Sequence, residues 1–425
     1  MNNCTTEVYQ SKRGLINFSN KISRGVCKPV QKLCQDMVYG ITSSRSSFLS
    51  DIARSLKENN KLKNTIDRLS FNLMNLDEEE KQIMEDNHDK EVISHLKDGY
   101  IALLNDNSDI NKEYSSKLED LCTVRDASSK QEKYVNGYMV CEYVALTEKT
   151  QTPVSLYSKI YSTTAKGFIS ENDETIKGED VVNKKLEGTG KIPIYVRDRG
   201  YDANEFFKKD IDEDNKFVTR LDGDRYLIFK DKKKIVVDAV KERKGKIVSK
   251  LMYHGENKEC YISYTRVKLP IRKNKELTLV TIHGLSSDGI PMMLLTNLDV
   301  KGKDDAEYVV RLYFLRWRIE EYFKAKKQEF KWEDSLLRTL KSMNNYNFFL
   351  TLVMTNLAIL IEKTEENFLS NLILEYSKSL KNKALVYFGM MSKGLYEILK
   401  NAKEGIRTWQ KIKIREKVRQ LSFSI

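Results

Sequence analysis

Four short runs of β-branched and aromatic residues constrain this chain most: Tyr100–Leu104, Gly137–Leu146, Val154–Tyr161 and Ile192–Val196. Apolar runs of this length, bounded by polar clusters, read as buried strands. Between the third and the fourth, Glu174–Leu186 carries the pattern of a helix. Two of the runs end in carboxylates. Tyr100–Leu104 leads into Asn105-Asp106-Asn107-Ser108-Asp109, and Ile192–Val196 leads into Arg197-Asp198-Arg199-Gly200-Tyr201-Asp202. From about Lys216 to Leu298 the texture changes to short strand-like runs separated by Gly, Asn, Asp and Lys. Helical periodicity resumes near Ala306 and continues, with breaks, to the C-terminus.

Strand, two further strands, helix, strand is the order of an RNase H-like core, so the fold class expected is α/β. The chain then divides into a helical N-terminal region (1–95) suited to DNA-end binding, a first core part (96–215), a β-rich insertion (216–300), a second core part (301–362) and a helical C-terminal region (363–425) suited to dimerisation. In the first region Ser50 reads as the N-cap of a helix over Asp51–Glu58, and a polar turn leads to a second helix, Leu62–Met74. Arg45, Arg54, Lys57, Lys61, Lys63 and Arg68 surround this pair, which could grip DNA or form an ordinary helical bundle with solvated cations.

Charge narrows the partners. Lys plus Arg number 73 against 61 Asp plus Glu, a net charge of +12 that favours a polyanion such as nucleic acid or an anionic membrane. No apolar run is long enough to span a membrane: the best stretch, Phe348 to Ile361, is broken by Thr351, Thr355 and Asn356. The N-terminus lacks the apolar centre of a secretory signal, so a reducing cytoplasm is the expected compartment. Six cysteines lie far apart without a Cys-x-x-Cys pair, and four histidines do not bracket them at zinc spacing. Metal chemistry here would rest on carboxylates.

The segment from Tyr313 to Lys327 concentrates the chemistry. On a helix advancing about 100° per residue, Tyr313, Arg316, Glu320 and Lys327 share an arc of roughly 60°. Leu312, Leu315, Ile319, Tyr322 and Phe323 form the adjoining buried face. A docked helix would then display one carboxylate among an aromatic and two cations, although a solvated face with i,i+4 ion pairs has the same pattern. Asp106 and Asp198 stand after apolar runs, where a sheet can hold a ligand-facing carboxylate. Phosphodiester hydrolysis gains from two cations about 4 Å apart, and a few carboxylates with water suffice to hold magnesium.

Tyr313, Arg316, Glu320 and Lys327 match without a gap the Y-(2)-R-(3)-E-(6)-K signature, and the chain resembles the bacterial insertion-sequence transposases of the DDE type that carry it. Asp198-Arg-Gly-Tyr is similar to their second-aspartate motif, and Asp106-Asn-Ser to the first. The resemblance covers roughly Tyr100 to Phe330, with weaker similarity over Arg45 to Asn75. It implies an RNase H-like catalytic core interrupted by a β-strand-rich insertion. It further implies that Asp106, Asp198 and Glu320 ligate two Mg2+ ions, with Mn2+ as a substitute. Tyr313, Arg316 and Lys327 would hold the DNA backbone, Trp317 would stack near the DNA terminus, and Arg220 would be a further DNA contact at the start of the insertion. The implied partners are double-stranded transposon ends and target DNA, bound by a homodimer assembled on DNA. The implied setting is the bacterial cytoplasm, in association with the nucleoid.

The tryptophans depart from the family pattern. Better-known members place in the insertion a Trp that receives a flipped base during hairpin formation, whereas Trp317, Trp332 and Trp409 all lie outside it. Either no hairpin forms, or Tyr226, Phe229, Tyr253 or Tyr264 supplies the receiving surface. Two other functions fit the same residues: a nuclease on the same core, and a catalytically idle DNA-binding protein derived from a transposase. Asp109 and Asp126 are rivals for the first aspartate.

Overall fold

The computed structural model describes residues 3–126, 131–242, 245–253, 255–286, 289–364, 366–378 and 387–411. Five helices come first: α1 (Asn3–Ile22), α2 (Lys28–Ser44), α3 (Leu49–Ser55), α4 (Leu62–Met74) and α5 (Glu78–Ile93). Strands β1 (Gly99–Asn111), β2 (Cys122–Arg125), β3 (Tyr134–Leu146) and β4 (Pro153–Tyr161) come next, then α6 (Glu171–Leu186), β5 (Lys191–Arg197), α7 (Asn204–Asp212) and β6 (Lys216–Arg220). After these lie β7 (Tyr226–Phe229), β8 (Lys232–Ile235), α8 (Val236–Val240), β9 (Ile247–Tyr253), β10 (Glu256–Leu269), β11 (Arg272–His283) and β12 (Met292–Thr296). The chain closes with α9 (Lys303–Leu315), α10 (Trp317–Lys324), α11 (Leu340–Glu362), α12 (Phe368–Tyr376) and α13 (Tyr387–Leu399). The fold is mixed α/β, with one mixed sheet in the order β2-β3-β1-β5-β6-β12-β11-β10-β7-β8; β4 pairs with β3, and β9 with β10.

Two pairings organise the centre. β1 runs antiparallel to β3 and parallel to β5, with Leu104 opposite Val196. A parallel neighbour needs a long crossover, and here it contains α6, whose Ser170 cap accepts from the Asp173 N–H at 3.1 Å. β6 then pairs parallel with β5 and antiparallel with β12, so the later strands prolong this same sheet. Helix α11 is buried on nearly every side, between β4 and helices α2, α4 and α13. No helix among the described residues is long and apolar enough to cross a membrane.

Three local expectations shift. β1 does not stop at Leu104 but runs on through the polar cluster to Asn111, because each residue from Asn105 to Asn111 is paired with β3 between Tyr143 and Gly137. Ladder pairing overrides the low strand propensity of Asn and Asp, and Asp106 lies within the strand. The second N-terminal helix spans Leu62–Met74 as expected, but the preceding helix begins at Leu49 with Phe48, not Ser50, at its N-cap position. The C-terminal region, expected to serve dimerisation, gives Phe388, Met391, Leu395, Ile398 and Leu399 to the core and leaves Phe368 78 % exposed.

The end of β5 is held by a buried cation. Arg197 is fully enclosed; its Nη1 donates to Asp210 Oδ2 at 2.6 Å and its Nη2 to Glu179. Its guanidinium also lies 4.8 Å from the Tyr195 ring centroid. Glu179 belongs to α6 and Asp210 to α7, so one side chain ties both helices to the strand end that carries Asp198. Any side chain at position 178 would meet the rings of Tyr143 and Tyr157 at 2.8 Å. Glycine there lets α6 approach the sheet closely enough for Glu179 to reach Arg197.

Burial raises both the Glu179 and the Asp210 carboxyl, against the pull of Arg197. Without the guanidinium two buried carboxylates would lack a counter-charge, and Arg197→Met should cost about 3–5 kcal/mol. Because the folded-state values lie above the unfolded ones, folding takes up protons: stability is greatest below the unfolded value of about 4 and is lost as pH rises. Urea unfolding of Arg197→Met is therefore expected to show a larger deficit at pH 8 than at pH 5. A deficit of the same size at both would show that the carboxylates are not the cause.

Candidate active site

Asp106 and Asp198 occupy matching places on neighbouring strands. Leu104 is the partner of Val196, and each aspartate stands two residues further along, Asp106 in β1 and Asp198 one step past β5. Asp198 caps the single 3-10 turn Arg199–Tyr201, and its carboxylate accepts the Gly200 N–H at 2.8 Å. The sharp turn leaves the aspartate at the sheet end while Tyr201 folds back into the core, edge-on to Phe206 at 5.5 Å between centroids. Burial holds the Tyr201 hydroxyl protonated, and the nearby Asp106 adds to that effect. Arg220 ends β6, whose Thr219 pairs with Arg197, so it lies at the same end of the sheet as Asp198.

The signature segment is not one continuous helix. It is divided at Arg316, where the Arg316 N–H bonds back to the Tyr313 carbonyl at 3.0 Å and the Ile319 N–H to Arg316 at 3.1 Å. These three-residue bonds tighten the chain between α9 and α10. After Lys324 the helix loosens into a π-helical turn, Ala325–Glu329. Tyr313 is buried close to Arg316, and Trp317 is 53 % exposed. Beside Glu320 a cleft of about 360 Å³ opens between Trp317, Lys324, Tyr387 and Phe388.

Arg316 joins the carboxylates. Its Nη2 donates to Glu320 Oε1 at 2.5 Å and its Nη1 to Asp106 Oδ2 at 3.4 Å. Burial pushes the Asp106 carboxyl up to about 7; Arg316 opposes this, while the charges of Asp198 and Glu320 reinforce it. Burial alone would lower the Arg316 guanidinium, but Tyr313, Asp106 and Glu320 outweigh it and raise it. Lys327 has its own acidic pair, Asp109 Oδ1 at 3.3 Å and Glu333 Oε1 at 3.2 Å. Glu333 Oε1 also accepts the Asn111 N–H at 3.1 Å. Each signature cation thus sits between two carboxylates. Asp126, the other rival for the first aspartate, is buried past the end of β2, where its N–H donates to the Lys133 carbonyl at 2.9 Å.

Among the described residues no three carboxylate, histidine or cysteine side chains are gathered closely enough to hold a metal ion. The donor set nevertheless suits a hard divalent cation, since Asp106, Asp198 and Glu320 offer oxygen ligands alone. They crowd negative charge where one carboxyl is already driven up by its surroundings, and Arg316 supplies the counter-charge.

The N-terminal cations mostly face acidic partners. Arg45 pairs with Glu329, Arg54 with Asp51 and Lys63 with Asp67. Arg68 binds both Asp36 and Glu58, and Lys57 bonds to the Ala402 carbonyl. Among the insertion aromatics, Tyr253 packs edge-on against Phe314 at 6.1 Å, and the Tyr264 hydroxyl donates to the Lys301 carbonyl at 2.9 Å. Tyr226 is 48 % exposed and Phe229 is half-buried. Sequence reasoning missed Arg197, Glu333, Glu142 and Lys326. Glu142 left a usable trace, a lone acid in an otherwise apolar run, which demands a buried partner.

Residues 160–357 match the family model described as transposase DDE domain. The match takes in Asp198, Tyr313, Arg316, Glu320 and Lys327 and begins beyond Asp106. It supports a transposase of the DDE type. No curated protein matches the chain.

Arg316 competes with any cation for Asp106 and Glu320. Arg316→Met should therefore bind calcium about tenfold more tightly than the native chain, the equivalent of losing one charged hydrogen bond. Thermal midpoints followed against calcium concentration read this out. Identical titrations for the two proteins would mean that these carboxylates do not receive the ion.

Proposed function

We propose that this chain is an insertion-sequence transposase. It binds the terminal inverted repeats of its element, cleaves the DNA at the ends and joins the free 3'-hydroxyls to target DNA. The observation that carries this reading is the matched position of Asp106 in β1 and Asp198 just past the parallel β5, with Arg316 bridging Asp106 to Glu320. The transposase domain match over the later two of these residues supports it. On this reading the fold around β1, β3, β4, β5 and α6 is an RNase H-like core, and the strands between β6 and β12 are its insertion.

Asp106, Asp198 and Glu320 would hold the divalent ions, which when bound activate the attacking oxygen and stabilise the leaving one. The chain's own cations do the rest. Arg316 is a planar fork suited to a phosphate diester, Lys327 a point charge, and the Tyr313 hydroxyl a neutral donor. DNA arrives against cations already paired with carboxylates, so backbone binding is an exchange of one anionic partner for another. Trp317, half exposed beside Glu320, offers a ring face to an unpaired terminus. Arg220 extends the basic surface along the same sheet end. A homodimer assembled on two DNA ends would couple two cleavages to one insertion. A catalytically idle DNA-binding derivative is favoured only by the Arg316 clamp, which neutralises two of the three carboxylates.

Asp106→Asn, Asp198→Asn and Glu320→Gln should each lower Mg2+-dependent cleavage of an element-end duplex by about a hundredfold or more, with end binding nearly intact. Cleavage by Asp106→Asn together with a dead Asp109→Asn would transfer the first position to Asp109. A native protein that binds ends but never cleaves them would establish the idle alternative. The dimer is checked by light scattering with end DNA: strand transfer by complexes holding one protein per end contradicts it.

A further inference from the structure

Lys326, next to the signature lysine, is wholly buried and makes no contact with the acidic pair that holds Lys327. Its Nζ donates to Glu142 Oε2 at 2.8 Å, to Asn347 Oδ1 at 3.3 Å and to Ser158 Oγ at 3.4 Å. The ammonium also lies 4.9 Å from the Tyr322 ring centroid and 4.8 Å from that of Trp332. Glu142 is equally buried and accepts from Ser155 Oγ at 2.5 Å and Ser158 Oγ at 2.7 Å. Every polar atom of the pair is thus matched, as an enclosed ion pair requires.

The place of Glu142 gives this pair a meaning. In the ladder of β1 and β3, Glu142 is the direct partner of Asp106, and in the ladder of β3 and β4 it is the partner of Ser158. Direct partners in antiparallel strands point to the same face, so Asp106, Glu142 and Ser158 form one row across three strands. Lys326 plugs into that row from the π-helical turn Ala325–Glu329, which follows α10 and also carries Lys327. A π turn holds more residues than an α turn, so it changes the direction in which its own residues, Lys326 and Lys327 among them, face relative to α10. Reversion to α-helix would swing Lys327 away from Asp109 and Glu333 and shift α10 with Glu320.

We infer that Lys326 and Glu142 are positioning residues, a buried staple that fixes the π-helical turn and so sets Glu320 and Lys327 in place against the strand carrying Asp106. The inference rests on the transposase reading. Lys326 touches neither DNA nor metal and acts through its neighbours. Asn347 Nδ2, which donates to Ser158 Oγ at 2.7 Å, braces the same row from α11.

The test is the pair variant Glu142→Gln/Lys326→Met, which removes both charges and leaves no lone buried ion. It should keep its circular dichroism and melt within a few degrees of the native chain. Cleavage of end DNA should nevertheless fall by about a hundredfold, since ångström-scale misplacement of reacting groups costs that much. The slope of log affinity against log salt should fall by about one unit, as expected for Lys327→Ala. Combining the pair variant with Lys327→Ala should add no further loss of end binding. Native cleavage and slope in a folded pair variant, or losses that add fully to those of Lys327→Ala, would overturn the staple. Should the pair variant not fold, Ser158→Ala/Asn347→Ala keeps the ion pair and loosens its bracing: smaller losses that do not add to those of Lys327→Ala support the staple, and native behaviour overturns it. A native protein that never cleaves, or whose end binding ignores Lys327→Ala, removes the transposase reading itself.

Discussion

The parallel register of β1 and β5 is the constraint on which the site depends. With Leu104 set against Val196, two aspartates more than ninety residues apart in sequence become neighbours. Crowding of this kind is unfavourable unless cations intervene. Arg197 anchors the end of β5 from within the core, Arg316 spans Asp106 and Glu320, and Lys326 neutralises Glu142 in the same row. The acidic cluster is tolerated because Asp106, Glu320 and Glu142 each meet a cation, while Asp198 accepts the Gly200 N–H. The helices are consequently fixed to the sheet by charge as well as by apolar burial.

This arrangement separates two roles for positive charge that composition cannot distinguish. A net charge of +12 points to a polyanion, yet many of the cations singled out in the sequence are already engaged. Arg45, Arg54, Lys57, Lys63 and Arg68 bind groups in the N- and C-terminal regions or the π-helical turn. The exposed pairs among them, Arg54–Asp51 and Lys63–Asp67, contribute little to stability and are readily exchanged. Enclosed ones such as Arg197 are not, because breaking them strands a charge in the core.

Much of the centre is legible in the sequence, and for identifiable reasons. The runs at 100–104, 137–146, 154–161 and 192–196 announce their strands because buried strands tolerate few polar residues. Helix α4 is legible to the residue from Leu62, Ile66, Leu69 and Leu73. The extension of β1 through Asn105–Asn111 is hidden, since it is imposed by β3 and not by local preference. The break at Arg316 and the π turn at Ala325 are hidden too. The spacing of Tyr313, Arg316, Glu320 and Lys327 fits a straight helix, and the bend belongs to a segment whose α10 packs against β1 and β4. Lys326 looks like one more surface lysine in a basic stretch, and nothing in its immediate neighbours marks it as buried.

The long reach of the β1–β5 pairing also sets an order of events in synthesis. Contacts between distant segments form late and close slowly, because the intervening chain must be drawn together first. Asp106 leaves the ribosome long before Asp198, and Glu320 emerges only when about three-quarters of the 425 residues have been made. Lys326, which locks the row beside Asp106, comes later still. A chain interrupted before Glu320 would carry Asp106 and Asp198 without the third carboxylate. Termination before that residue would therefore release no fragment in which all three are brought together.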